Sequence, residues 1–177
     1  MPLLSAKRLL STLLLVLPAM AAAELADGYK PIEVDAGRAT QDQKSGQAVL
    51  EGGVKITQGT LTLEADRAVM QETAGGDHTV QATGKPVKFK QRLESKLAWL
   101  DAHADKLDYD SKTGEVKLMG NAWLKRGEDE ISGNRITYNS VTEKYAAEGS
   151  PPDASSDGRV RMVIQSKKKP AEGQPKP

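Results

Sequence analysis

The 177-residue chain contains no cysteine. Disulfide staples, Cys-ligated metal sites and thiol nucleophiles are thereby excluded. Histidine is nearly as scarce: His78 and His103 are the only two and lie far apart, so a His-rich metal centre is not expected. Aromatics make up 4% of the chain, with one Phe, two Trp and four Tyr, so a core must rely on Val, Ile, Leu and Ala. An excess of charge of either sign is also missing. Lys+Arg total 25 against 24 Asp+Glu, a formal net charge of +1, which excludes a strongly basic nucleic-acid binder and an acidic tail protein. Hydrophobic residues are 38% and the mean hydropathy is −0.52, which excludes a multi-span membrane protein. Neither GxGxxG nor GxxxxGK[ST] occurs, so no phosphate-cradling loop is indicated and no cofactor is expected. The length fits one domain.

One apolar run stands out, at the N-terminus. Lys7 and Arg8 precede LLSTLLLVL (residues 9–17), and PAMAAA (18–23) supplies small residues before Glu24. This is the three-part pattern of a secretory signal peptide, with cleavage expected after Ala23. A membrane anchor is the alternative, but residues 9–23 fall short of the roughly 20 needed to cross a bilayer. Removing the leader takes away Lys7 and Arg8 and moves the formal charge from +1 to −1. At the other end, SKKKPAEGQPKP (166–177) is Pro-rich and charged and is expected to be a disordered polar tail. The folded domain is expected over residues 24–165.

Within that domain, residues 32–70 and 100–138 align without a gap at a constant offset of 68. Gly46 meets Gly114, Gly52 meets Gly120, Gly59 meets Gly127, and Arg67 meets Arg135. Glycines that coincide three times mark coinciding turns or bends. A shorter hairpin-forming unit recurs inside the repeat, roughly four times in all. Its period is two. Val54 and Ile56 alternate with Lys55 and Thr57, Leu61 and Leu63 with Thr60 and Thr62, Val87 and Phe89 with Lys88 and Lys90, and Leu107 and Tyr109 with Lys106 and Asp108. Such alternation predicts strands with one face on an apolar interior and one in water. Turns are expected at residues 44–46, 75–77 and 112–114. The inward parity slips by one near Asp66, between Ala104 and Leu107, and between Gly133 and Ile136, which predicts bulges or corners where strands bend. Residues 92–100 (RLESKLAWL) are read as loop and strand, 150–158 as loop, and 159–165 as a last strand.

Sites for chemistry are hard to find. Asp108 with Asp110 bracket Tyr109 at a turn, and Glu128, Asp129 and Glu130 sit in a hairpin loop; both groups read as solvated surface. Asp66, Asp105 and Asn134 recur at the parity slip, which points to backbone capping. His103 lies two residues before Asp105, but no Ser or Cys elbow accompanies the pair, so no catalytic residue and no metal ligand is assigned. What remains is an apolar strip with a basic set near it: Lys55, Lys85, Lys88, Lys90 and Arg92. An apolar trough with a cationic rim suits an amphiphile carrying acyl chains and phosphates.

Four further stretches carry a resemblance: VLEGGVKITQGTLTLEADRAV (49–69), GKPVKF (84–89), LMGNAWL (118–124) and ISGNRITY (131–138), with PIEV (31–34) near the expected mature start. The pattern resembles the OstA-like family, and within it the LptA-like branch of lipopolysaccharide export proteins. The likeness spans about residues 31–165, and residues 92–99 depart from it by being longer and more charged. It implies an all-β fold, an open OstA-like β-jelly roll of about 16 antiparallel strands. It implies a non-enzymatic periplasmic bridge that binds lipopolysaccharide through its lipid A chains. The expected partners are an LptC-like protein of the inner membrane, an LptD-like protein of the outer membrane, and further copies of the chain joined head to tail. Lipid-contacting positions implied by resemblance and parity together are Ile32, Val34, Val54, Ile56, Leu61, Leu63, Phe89, Leu107, Tyr109, Leu118, Leu124 and Ile136. Edge-pairing positions are Pro31, Ile32 and Val34 at one end and Val160, Met162 and Ile164 at the other. Open edges suit strand addition from a partner. Three rival readings exist: a membrane-anchored LptC-like sibling, a self-assembling structural β protein without ligand, and an enzyme using His103 and Asp105.

Overall fold

The computed structural model describes residue 27 and residues 30–93, 98–150 and 158–165. Residues 1–23, the tail from 166 and most of the loop at 150–158 lie outside the described residues. Ten strands follow in order: β1 (Ile32–Asp35), β2 (Arg38–Asp42), β3 (Gln47–Gln58), β4 (Leu61–Glu72), β5 (His78–Leu93), β6 (Ala98–Asp110), β7 (Glu115–Arg126), β8 (Asp129–Asn139), β9 (Lys144–Glu148) and β10 (Arg161–Val163). They form one antiparallel sheet in the order β1-β3-β4-β5-β6-β7-β8-β10, with β2 also paired to β3 and β9 to β8. The fold is therefore all-β, as the alternation requires. Among the described residues there are ten continuous strands, where about sixteen were expected. The reason is that β3 to β8 each run through a corner and stay paired on both sides of it.

The corners form a seam. Register shifts fall between Glu51 and Val54, Glu64 and Arg67, Thr83 and Val87, His103 and Lys106, and Met119 and Ala122. The expected slips near Asp66, Ala104 and Gly133 all lie on it. In β3 and β7 the seam is crossed by left-handed residues, Gly52 (φ 83°), Gly53 (φ 71°), Gly120 (φ 76°) and Asn121 (φ 48°). A side chain strains this conformation, and asparagine tolerates it better than most. At Gly120 a Cβ would also sit 2.6 Å from Asp105 Oδ2. The capping role expected of Asp105 takes a different form: its carboxylate accepts a hydrogen bond from the Asn121 side-chain amide at 2.9 Å. That contact ties β6 to β7 at the bend.

Folding along the seam brings the two halves face to face. Phe89 pairs with Ala102 on one side of it, and Tyr109 pairs with Val80 on the other. Seven residues of straight strand separate Ala102 from Tyr109 by more than about 20 Å. Yet the Phe89 and Tyr109 rings lie 6.1 Å apart. Only a sheet doubled over can make that contact. The enclosed space holds a single apolar cluster drawn from both halves, with Ala68, Val87, Leu100, Ala104, Leu107, Leu118, Ile136 and Tyr138 fully buried. With so few aromatics, this aliphatic packing supplies the hydrophobic stabilisation, about 1.5–3 kcal/mol for each large side chain buried.

The 68-residue repeat is visible in atomic detail. Asp42 Oδ1 accepts from the backbone N–H groups of Lys44 (2.8 Å) and Ser45 (3.3 Å), and Asp110 Oδ1 does the same for Lys112 (2.9 Å) and Thr113 (3.1 Å). These backbone bonds hold the Asp42 carboxyl below its ordinary range. The carbonyl of Gly46 accepts from Glu72 N, and that of Gly114 from Ser140 N, each at 2.9 Å. Gly46, Gly59, Gly114 and Gly127 all have φ between 61° and 69°. Asp110 is thus a turn-forming residue.

Candidate functional site

The space between the two halves reaches the surface at a mouth opposite the seam. There a cavity of about 480 Å³ is lined by Gln58, Leu61 and Gln91 from one half and by His78, Tyr109, Ser111, Gly114 and Ser140 from the other. Such a volume lies within the range of small-molecule sites. Four side chains at this opening are polar and buried: Ser140, in the turn after β8, and three on strands, Gln58, His78 and Gln91. Each of those three continues the inward parity of its strand, after Val54 and Ile56, before Val80 and Ala82, and after Val87 and Phe89. The apolar interior therefore ends in a ring of hydrogen-bonding groups. Sequence reasoning passed over these three residues because it followed only apolar side chains; the same period, applied to polar ones, finds them.

Ionisable groups at the mouth respond to burial. Burial pushes the His78 imidazole below its ordinary value, against the charges of Asp77, Glu72 and Asp110. Burial likewise raises the Tyr109 phenol, assisted by Asp110 and Asp27. The His78 and Tyr109 rings meet edge-on at 5.9 Å. Asp27 lies over the opening. Its carboxylate accepts from Thr60 N at 3.0 Å and from the Thr60 hydroxyl, while Gln58 Nε2 donates to Lys30 O at 3.2 Å. The segment before β1 is thus fastened to one lip.

The twelve lipid-contact candidates divide by position. Val54, Ile56, Leu61, Leu63, Phe89, Leu107, Leu118, Leu124 and Ile136 are brought together in the buried cluster. Tyr109 is half-buried at the mouth, and Ile32 packs against the cluster from β1. Val34 is 41% exposed, because among the described residues β1 pairs on one side only and nothing covers its flank. The edge candidates fall at the two ends of the sheet. Pro31, Ile32 and Val34 belong to β1 or adjoin it; Val160, Met162 and Ile164 belong to β10 or adjoin it and are exposed. The outer flank of β3 is shared by β1 and β2, and that of β8 by β9 and β10.

The basic set is not a rim. Lys55, Lys88, Lys90 and Arg92 alternate with Val54, Val87, Phe89 and Gln91, so they project from the outer face, and Lys85 is exposed at the seam. Lys88 pairs with Glu64 (3.6 Å) and Lys90 with Asp101 (3.4 Å) across neighbouring strands. Period two dictates this, since flanking an inward residue means facing outward. The hairpin acids are structural too: Glu130 binds Lys125 at 2.9 Å, and Asp129 Oδ1 accepts from Gln165 N at 3.0 Å. His103 stacks on Trp123 with ring centres 5.0 Å apart, while Asp105 serves the bend, so the two do not form a catalytic pair.

Comparison with known proteins agrees with this geometry. Residues 33–144 match the family described as LptA/(LptD N-terminal domain) LPS transport protein. The lipopolysaccharide export system protein LptA of Escherichia coli (strain K12) is 30% identical over 146 residues, covering 81% of this chain and 78% of that protein. LptH of Pseudomonas aeruginosa is 30% identical over 154 residues, covering 85% and 87%. The crystal structure of that LptH, described as the LptA-homologous periplasmic component of the lipopolysaccharide transport device, superposes with a TM-score of 0.71 at 26% identity, covering 80% of this chain and 99% of that one. The family is non-enzymatic. A doubled-over antiparallel sheet with an apolar interior, together with a family match through most of its strands, places this chain in the LptA/LptD-N-terminal-domain family of lipopolysaccharide transport proteins.

Proposed function

We propose that the chain is a periplasmic carrier of lipopolysaccharide that holds lipid A acyl chains between the two halves of its sheet. One observation carries this reading: an interior of aliphatic side chains reaches the surface at a polar-ringed mouth, in a sheet whose end strands have unpaired outer flanks among the described residues. Each methylene removed from water contributes about 0.8 kcal/mol, so an acyl chain of a dozen carbons gains on the order of 10 kcal/mol inside such an interior. The nine candidates in the cluster are buried. Loading therefore requires the halves to part at the mouth, with Tyr109 and Phe89 meeting the chain first. The Asp27–Thr60 contact fastens this side, and its release accompanies opening. The β1 and β10 ends join an LptC-like partner on the inner-membrane side, an LptD-like partner on the outer-membrane side, and further copies head to tail, each by strand addition. The leader directs the chain to the periplasm.

The test is photo-crosslinking. A photoreactive amino acid in place of Tyr109, in cells making lipopolysaccharide, is expected to yield a lipopolysaccharide adduct; one at Lys117, exposed on the outer face of β7, is not. Absence of an adduct from position 109, with normal folding and export, would favour the ligand-free structural reading.

A further inference from the structure

The face of the sheet turned away from the apolar interior should carry polar side chains, by the alternation rule. It carries both tryptophans of the chain as well. Trp99 precedes the buried Leu100 in β6, and Trp123 precedes the buried Leu124 in β7, so both indoles point outward. Trp99 is 43% exposed, with the Lys90 ammonium 4.8 Å from its ring centre. Trp123 lies nearly parallel to His103, at 18° between planes. That stack stands between two hollows. One, of about 310 Å³, is bordered by Glu64, Lys88, Lys90 and Asp101; the other, of about 450 Å³, by Asn121, Ser132, Asn134 and Arg159. His103 and Trp123 line both.

The charges narrow the chemistry. In the first hollow both lysines are already engaged by carboxylates, Lys88 by Glu64 and Lys90 by Asp101, and the Arg159 guanidinium in the second is not free either. A phosphate or sulfate would have to break those pairs and displace an acid from its cation. An acyl chain would find flat rings hemmed by charge, without the depth to leave water. A ligand with apolar ring faces and uncharged hydroxyls or amides round its edge meets neither objection. Its faces lie on indole and imidazole, and its edge bonds to carboxylate, ammonium and the amides of Asn121 and Asn134. We propose that this outer shelf is a binding site for an uncharged oligosaccharide of at least two rings, one in each hollow, with Trp123 between them. The site is separate from the lipid interior, which lies on the other face of the sheet, and does not depend on it.

Intrinsic fluorescence reads the site directly, because Trp99 and Trp123 are the only tryptophans. The purified mature chain is titrated with tri-N-acetylchitotriose as a neutral probe and, separately, with inorganic phosphate. A saturable spectral change with the neutral trisaccharide and none with phosphate is expected. Trp123→Ala should weaken binding at least about tenfold, as judged by isothermal calorimetry. Trp123→Phe, which keeps a ring, should restore most of it, and Trp99→Phe should leave a fluorescence response from Trp123. Circular dichroism of each variant must match the parent; if Trp123→Ala fails to fold, His103→Ala takes its place with the same expected loss. The proposal is overturned if the trisaccharide gives no saturable change up to millimolar concentration, if phosphate competes with it, or if the folded variants at Trp123 or His103 bind as the parent does.

Discussion

Phe89→Ala offers a direct way to ask whether the interior accepts a chain. Phe89 is 1% exposed, lies in β5 beyond the seam, and touches Tyr109 at the mouth from the facing half. Truncation to alanine removes its transfer free energy and leaves a hole, together about 3–5 kcal/mol. For a chain of this size the melting temperature should fall by roughly 6–20 °C. The new hole adjoins the mouth, so an acyl chain entering there can refill it. At about 100 times its dissociation constant a ligand stabilises by about 2.7 kcal/mol. The variant should gain this and recover, in addition, about 1–3 kcal/mol of the packing it lost. Leu50→Ala is the control: Leu50 is 3% exposed but pairs with Ala39 and Ala68, away from the lining of the mouth. Its truncation costs about 2–5 kcal/mol and its hole is out of the ligand's path. Thermal melts of parent and both variants, with and without purified lipopolysaccharide, decide the matter. Equal ligand-induced shifts in all three would refute a chain-accepting interior at Phe89.

Three further outcomes follow from particular contacts. His78 is held neutral by burial, its folded-state pKa below the ordinary 6.5. Its contribution is therefore full above that value and falls as pH drops through it toward the lower folded value, because the unfolded chain takes up the proton first. Urea melts from pH 8 to 5 should show His78→Gln losing less stability on the acid side than the parent; identical slopes would count against a buried neutral imidazole. At the bend, Gly120→Ala must adopt φ 76° and place a Cβ against Asp105, whereas Gly127→Ala at φ 61° meets nothing nearer than 3.9 Å. Denaturation should give a loss of about 1–3 kcal/mol at Gly120, clearly larger than at Gly127, and equal losses would mean that the seam is not tight. At the sheet's end, proline at Val163 in β10 removes a strand N–H and should weaken head-to-tail assembly, with far-ultraviolet dichroism unchanged. Light scattering showing an unaltered oligomer distribution would exclude β10 from the joint.

Alternation along the backbone is a local property, and the sequence alone determined whatever depends on it. The all-β class, the inward set from Val54 to Tyr138, the paired turns at Asp42 and Asp110, and the slips near Asp66, Ala104 and Gly133 are all legible because each depends on neighbours within a few positions. The family resemblance rests on the same local stretches. Tertiary structure alone decided how those pieces close. Whether a slip ends a strand or merely bends it depends on the strands either side, so six bent strands could not be told from twelve short ones. Asp105 acquires its partner from Asn121 on β7, sixteen residues on. Gln58, His78 and Gln91 become a ring only when the seam folds their strands toward one another, and Lys88 is kept from the mouth by belonging to the opposite face. Burial is a property of what arrives from elsewhere in the chain. A period of two states which side a residue takes, but only the doubled sheet settles what that side encounters.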